Sequence, residues 1–142
     1  MKTLLQILLT YLMLLLVNPA FGADLVVENA WVREGPPGMP MMGGFMTVKN
    51  KGTDAISISN ISSPAFKSIE LHETIMQDGM AKMREVTDMR IPAGESLILE
   101  PGGKHMMLFS PLHPLSAGDK VHFQLATDSG QPIEFTATVK RR

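Results

Sequence analysis

Four side chains stand out as donors for one metal ion: His72, Met83, His105 and Met107. Ten residues separate His72 from Met83, twenty-one separate Met83 from His105, and one separates His105 from Met107. Imidazole nitrogen and thioether sulfur are neutral donors. Two of each suit Cu(I), and Ag(I) for the same reason, better than Zn(II), Mg(II) or Ca(II). The composition points the same way. The chain has no cysteine and twelve methionines, and ten of these fall between Met39 and Met107. Zero Cys excludes a disulfide framework, a zinc–thiolate site, a thiol nucleophile and a blue-copper centre. A single methionine is ordinarily core filler, and a single strand histidine is ordinarily a surface residue. The case for a site is joint: each His has a Met where strand geometry makes it reachable.

That geometry follows from alternation. Lys67 to Met76 and Met80 to Asp88 read as strands flanking Gln77-Asp78-Gly79, a hairpin signal. On the first strand Ile69, Leu71 and Ile75 share one face, and Glu70, His72, Thr74 and Met76 share the other. A two-residue turn at Asp78-Gly79 sets position 72 against 85 and 74 against 83, so Met83 is diagonal to His72. A turn at Gln77-Asp78 sets 72 directly against 83. Both registers put the pair on one face within reach of a shared ion, whereas a three-residue loop centred on one residue would break the pairing. After Pro101-Gly102-Gly103, His105 and Met107 are i and i+2 on a strand and share a face, while Met106 and Leu108 point into the core.

Other candidates carry less. Met39, Met41 and Met42 form a Met-rich loop beside Pro36-Pro37, read either as handling copper or as a flexible hydrophobic loop near the site or a partner surface. Met76 and Met80 lie at the hairpin tip, where they could shield the ion or join in its handover. His113 sits in a loop, and His122 alternates outward against Val121 and Phe123. No Ser-His-Asp set, paired-carboxylate set or phosphate-binding Gly loop is present. A histidine-brace monooxygenase needs a mature N-terminal His, and neither Ala23 nor Asp24 qualifies. The chain therefore reads as a non-enzyme.

The elements that position these residues read as all-β. From Asp24 onward, short segments rich in Val, Ile and Phe are punctuated by Gly, Pro, Asn and Asp. Besides the hairpin, the candidates are Val26–Arg33, Gly44–Lys49, Ala55–Ile61, Ser96–Glu100, His105–Phe109, Val121–Thr127 and Ile133–Val139. Eight or nine short strands at this spacing predict a β-sandwich or Greek-key barrel. The length suits one domain with a core of its own. A net charge of −1 with no basic run gives no reason to expect nucleic acid or an anionic membrane as partner.

Residues 1–22 read as a cleaved secretory signal peptide. Lys2 precedes an apolar run from Ile7 to Val17, Asn18-Pro19 closes it, and Ala20-Phe21-Gly22 offers small residues for a cut after Gly22. Without cysteine there is no lipobox, so a lipoprotein is not expected. Residues 23–142 form the mature domain, working outside the cytoplasm, where Met and His need no reductant to remain usable ligands.

The spacing of the four donors sits within Leu71-His72-Glu73-Thr74, Gly79-Met80-Ala81-Lys82-Met83-Arg84, Ile91-Pro92-Ala93-Gly94, Pro101-Gly102-Gly103 and His105-Met106-Met107-Leu108. With Ala30-Trp31-Val32-Arg33 and Gly44-Phe45-Met46-Thr47-Val48, this resembles the periplasmic copper chaperone family PCuAC over most of the mature chain. The resemblance implies a cupredoxin-like β-barrel and one Cu(I) held at the surface by His72, Met83, His105 and Met107. It also implies delivery to an acceptor, such as the CuA centre in subunit II of cytochrome c oxidase or another assembly chaperone. A periplasmic monomer without stable membrane insertion is expected. Sequestration of copper for tolerance uses the same ligands and stands as the alternative function. Some relatives add a His- and Met-rich tail; here the sequence reads Val139-Lys140-Arg141-Arg142, and no tail site is expected.

Overall fold

The computed structural model describes residues 24–130 and 132–141. The segment expected to be a signal peptide lies outside the described residues. The described residues contain no helix and ten strands. These are β1 (Leu25–Arg33), β2 (Met41–Asn50), β3 (Ile56–Ser62), β4 (Phe66–Gln77), β5 (Met80–Glu85), β6 (Met89–Ile91), β7 (Ser96–Leu99), β8 (Lys104–Pro111), β9 (Lys120–Thr127) and β10 (Ile133–Lys140). They are linked in the order β5-β4-β8-β2-β1-β10-β9-β3-β6, with β7 also paired to β2.

All pairings are antiparallel except that of β1 with β10. Two features let the strand network enclose a core. β2 carries β8 beside Met41–Gly44 and β7 beside Met46–Lys49, so it changes neighbour along its length. β1 has a register shift between Glu28 and Trp31, where Asn29 takes a positive φ of 54°. A bulge of this kind bends a strand and increases its twist.

Alternation produces the core. On β9, Val121, Phe123 and Leu125 are buried between exposed Lys120, His122 and Gln124. Met106 and Leu108 of β8, Val32 of β1, and Met46 and Val48 of β2 are buried against them. The one buried side-chain amide among the described residues, Asn50, is fully used. Its Nδ2 donates to the carbonyls of Asp54 and Ile91 at 2.8 and 2.9 Å, and its Oδ1 accepts from Gly52 N–H at 3.0 Å. It thereby ties the end of β2 to β6, as a buried polar group must be tied to avoid its desolvation cost.

Beyond shifts of one or two residues at strand ends, the sequence reading differs from the structure in three places. The strand count is ten, because the three residues Met89–Ile91 form a strand of their own against β3. β5 ends at Glu85, not Asp88. β2 begins at Met41, so Met41 and Met42 are strand residues and not part of a loop. Their pairing partners on β8, Phe109 and Leu108, are distant in sequence, so no local pattern announces them.

Candidate metal centre

β4 lies between β5 and β8, and all the candidate donors sit on these three strands. The β4–β5 hairpin closes on Asp78 and Gly79, with φ of 53° and 75°. Both central residues of a type I′ turn have positive φ, and Asp-Gly is a favoured pair there. This selects one of the two registers the sequence allows: His72 faces Glu85 and Thr74 faces Met83. Met83 is thus the diagonal neighbour of His72 on the same face.

The β4–β8 register sets the second half. His72 faces His105, Glu70 faces Met107, and Ser68 faces Phe109. On the opposite face Leu71 meets Met106 and Ile69 meets Leu108, with Met106 and Leu108 fully buried in the core. His72, Met83, His105 and Met107 therefore share one face of three adjacent strands. Met41, opposite Phe109, extends that face, whereas Met42 faces inward and is buried.

The two rings are close and differently held. Their centroids are 6.0 Å apart, and Phe109 flanks His72 at 6.4 Å. His72 Nε2 is 2.7 Å from Glu70 Oε2. His105 Nδ1 is 2.9 Å from the carbonyl oxygen of Gly103, which also accepts from Thr74 N–H. A carbonyl only accepts, so His105 carries its hydrogen on Nδ1 and, in the neutral ring, a lone pair on Nε2. A carboxylate likewise draws the hydrogen of His72 to Nε2 and leaves a lone pair on Nδ1. These two nitrogens, His72 Nδ1 and His105 Nε2, are buried and have no hydrogen-bond partner. Buried polar atoms are rarely left so. Metal-binding histidines characteristically bind through one nitrogen while the other is held by a carboxylate or carbonyl.

Depth varies across the site. His105 is 6% exposed, Met107 is half-buried and Met83 is 60% exposed on the edge strand β5. The rings are sunk while one thioether stays open to the outside. Glu73 turns to the other face, where Arg84 pairs with it. Sequence reasoning put Glu70 on the face of His72 without giving it a role, and missed Phe109. Phe109 was accessible as well: it lies two residues after Met107, so alternation puts it on that neighbour's face. His113 and His122 lie away from this face, in the loop after β8 and on the exposed side of β9. A groove of about 990 Å³ between the Glu34–Pro40 and Ser110–Ser116 segments includes His113 but none of the four donors.

Comparison with known proteins adds to this geometry. Residues 25–139 match the family described as "Putative lipoprotein LpqE-like". "Putative lipoprotein Lxx21020" of Leifsonia xyli subsp. xyli is 38% identical over 125 residues, covering 87% of this chain and 74% of that protein. Lipoprotein is the word of those names; the 142 residues here hold no cysteine. The solution structure of CuI-DR1885 from Deinococcus radiodurans is 31% identical, with a TM-score of 0.68, over 87% of this chain and 83% of that one. The copper-bound PCuAC domain from PmoF2 is 18% identical with a TM-score of 0.71, over 84% and 94% of the two chains. At that identity it shows the shared cupredoxin-like β-sandwich fold. With the match spanning all ten strands up to Val139, the chain belongs to the LpqE-like family, which is the family of the PCuAC domains.

Proposed function

We propose that this protein is an exported Cu(I) metallochaperone that carries one copper ion as cargo, held by His72, Met83, His105 and Met107, and passes it to an acceptor without catalytic turnover. The observation that carries this reading is the pair of buried, unbonded ring nitrogens, His72 Nδ1 and His105 Nε2, on facing residues. Each lone pair is fixed by a hydrogen bond on the far side of its ring. The remaining donors on that face, Met83 and Met107, are soft and neutral, which favours Cu(I) over harder ions.

Delivery is favoured over sequestration by the position of Met83. A ligand on an exposed edge strand can be displaced by an incoming one without opening the core. The acceptor in this reading is the CuA centre of cytochrome c oxidase or an assembly chaperone acting before it, and the place is the periplasm, reached through the leader in residues 1–22. X-ray absorption of the Cu(I) protein should show two nitrogen and two sulfur neighbours at one copper per chain. A shell of nitrogen and oxygen alone would sink the assignment. Gene deletion separates the two roles: an oxidase-assembly defect supports delivery, and copper sensitivity alone supports sequestration.

A further inference from the structure

Met83 has two diagonal neighbours on β4, not one. Thr74 stands directly opposite it, and the same-face positions on either side of Thr74 are His72 and Met76. Each is diagonal to Met83, within reach of a long side chain. Met76 and Met83 are 70% and 60% exposed, so neither thioether serves the core. We infer that Met76 and Met83 form an outer two-thioether site that captures Cu(I) at the hairpin tip, and that Met83 then carries the ion inward to His72. This rests on the proposed Cu(I) function and adds to it a residue and a route of entry.

The charges of the hairpin are sorted accordingly. Lys82 and Arg84 lie on the other face, bonded to Gln77 and Glu73. The face bearing Met76 and Met83 continues to Glu85, opposite His72, and to Glu70. A cation approaching this face meets carboxylates and no lysine or arginine of the hairpin, which favours its capture. The inward step is an exchange of ligands. The bond from copper to Met76 sulfur breaks and one to His72 Nδ1 forms, while Met83 stays bound. Copper remains Cu(I), so no electron moves. No proton moves either, because the hydrogen of His72 sits on Nε2 against Glu70.

The test uses the full mature protein, with Met80 as the control. Met80 is as exposed as Met83, on the same hairpin, but pairs with Gln77 on the opposite face. Stopped-flow transfer of Cu(I) from a coloured chelator should be slower in Met76→Leu than in wild type, with equilibrium affinity retained. Met80→Leu should match wild type in both. An unchanged rate in Met76→Leu, or equal slowing in Met80→Leu, would overturn the inference. An affinity loss in Met76→Leu as large as in Met83→Leu would also overturn it, making Met76 a resident ligand. As a second readout, His72→Ala protein with methyl-labelled methionine is titrated with Ag(I). The Met76 methyl signal should shift and that of Met80 should not; a silent Met76 counts against the outer site. Failure of the wild-type protein to bind Cu(I) or Ag(I) at all is a separate result, and it would remove the proposed function itself.

Discussion

His72 on β4 and His105 on β8 are direct cross-strand partners whose rings stand 6.0 Å apart, and each keeps one buried nitrogen without a hydrogen bond. The rings are oriented by the protein itself, one by the Glu70 carboxylate and the other by the Gly103 carbonyl. Preorganisation of this kind lowers the ordering cost that binding must meet.

Removing the Glu70 carboxylate should therefore weaken Cu(I) binding without unfolding the protein. Loss of a partner that orients a metal-binding histidine typically costs about 10–100-fold in affinity, and Glu70→Ala is expected in that range. Glu70→Gln should lose less, because a carboxamide oxygen still accepts from His72 Nε2–H. Competition titration against a Cu(I) chelator measures both. Wild-type affinity in Glu70→Ala would show that the carboxylate does not set the ring.

Adjacent residues on β8 should respond oppositely. Met106 is fully buried opposite Leu71, whereas Met107 is half-buried on the donor face opposite Glu70. Met107→Leu removes a sulfur donor and should lower Cu(I) affinity. Met106→Leu conserves volume in the core, where such swaps usually cost less than about 1.5 kcal/mol, and should leave affinity near wild type. Equal affinity losses in two folded variants would contradict the assigned facing of the strand.

Gly44 of β2 stands directly beside Met106 of β8 in the sheet. A Cβ there would come within 2.7 Å of Met106 Cε and 3.3 Å of Met106 Cβ. Since Met106 is fully buried, its side chain has little room to yield. Overpacking of this sort costs about 1–3 kcal/mol, and Gly44→Ala should lower the urea midpoint accordingly. Because Met106 lies between His105 and Met107, a fall in Cu(I) affinity should accompany it. A midpoint equal to wild type would mean that the strands part more easily than this packing implies.

Acid stability should depend on Glu34. Its carboxyl is held below the usual carboxylate range, chiefly by the hydrogen bond from Arg141 and then by that from Ala117 N–H. A carboxyl with its folded pKa depressed adds stability above its unfolded pKa, and that stability is lost as pH falls through the folded value. Glu34→Gln should thus be less stable than wild type near neutral pH, and the two should converge in strong acid. Urea melts across pH would show this. A difference that stayed constant with pH would assign the effect to packing.

Much of the site was legible in the sequence because strand alternation is a local property. It places His105 with Met107, Met106 in the core, and His72 away from Ile69 and Leu71. It also puts Glu70 on the face of His72, although the carboxylate's hold on the ring was not foreseen. The hairpin was legible too, since Asp78-Gly79 is a local signal, although the sequence left two registers open and the positive φ at both residues selects one.

What only the tertiary structure decided is long-range pairing. That β8 docks beside β4 with His105 against His72, and beside β2 with Phe109 against Met41, depends on segments remote in the chain whose register no local pattern sets. The three-residue β6 exists because β3 is there to pair with it. By itself the sequence determined the kinds of donor, their facing and an all-β chain. The tertiary structure decided which candidate donors share a face, how deep each lies, and which nitrogen of each ring lacks a hydrogen bond. Those depend on neighbours that only folding brings together.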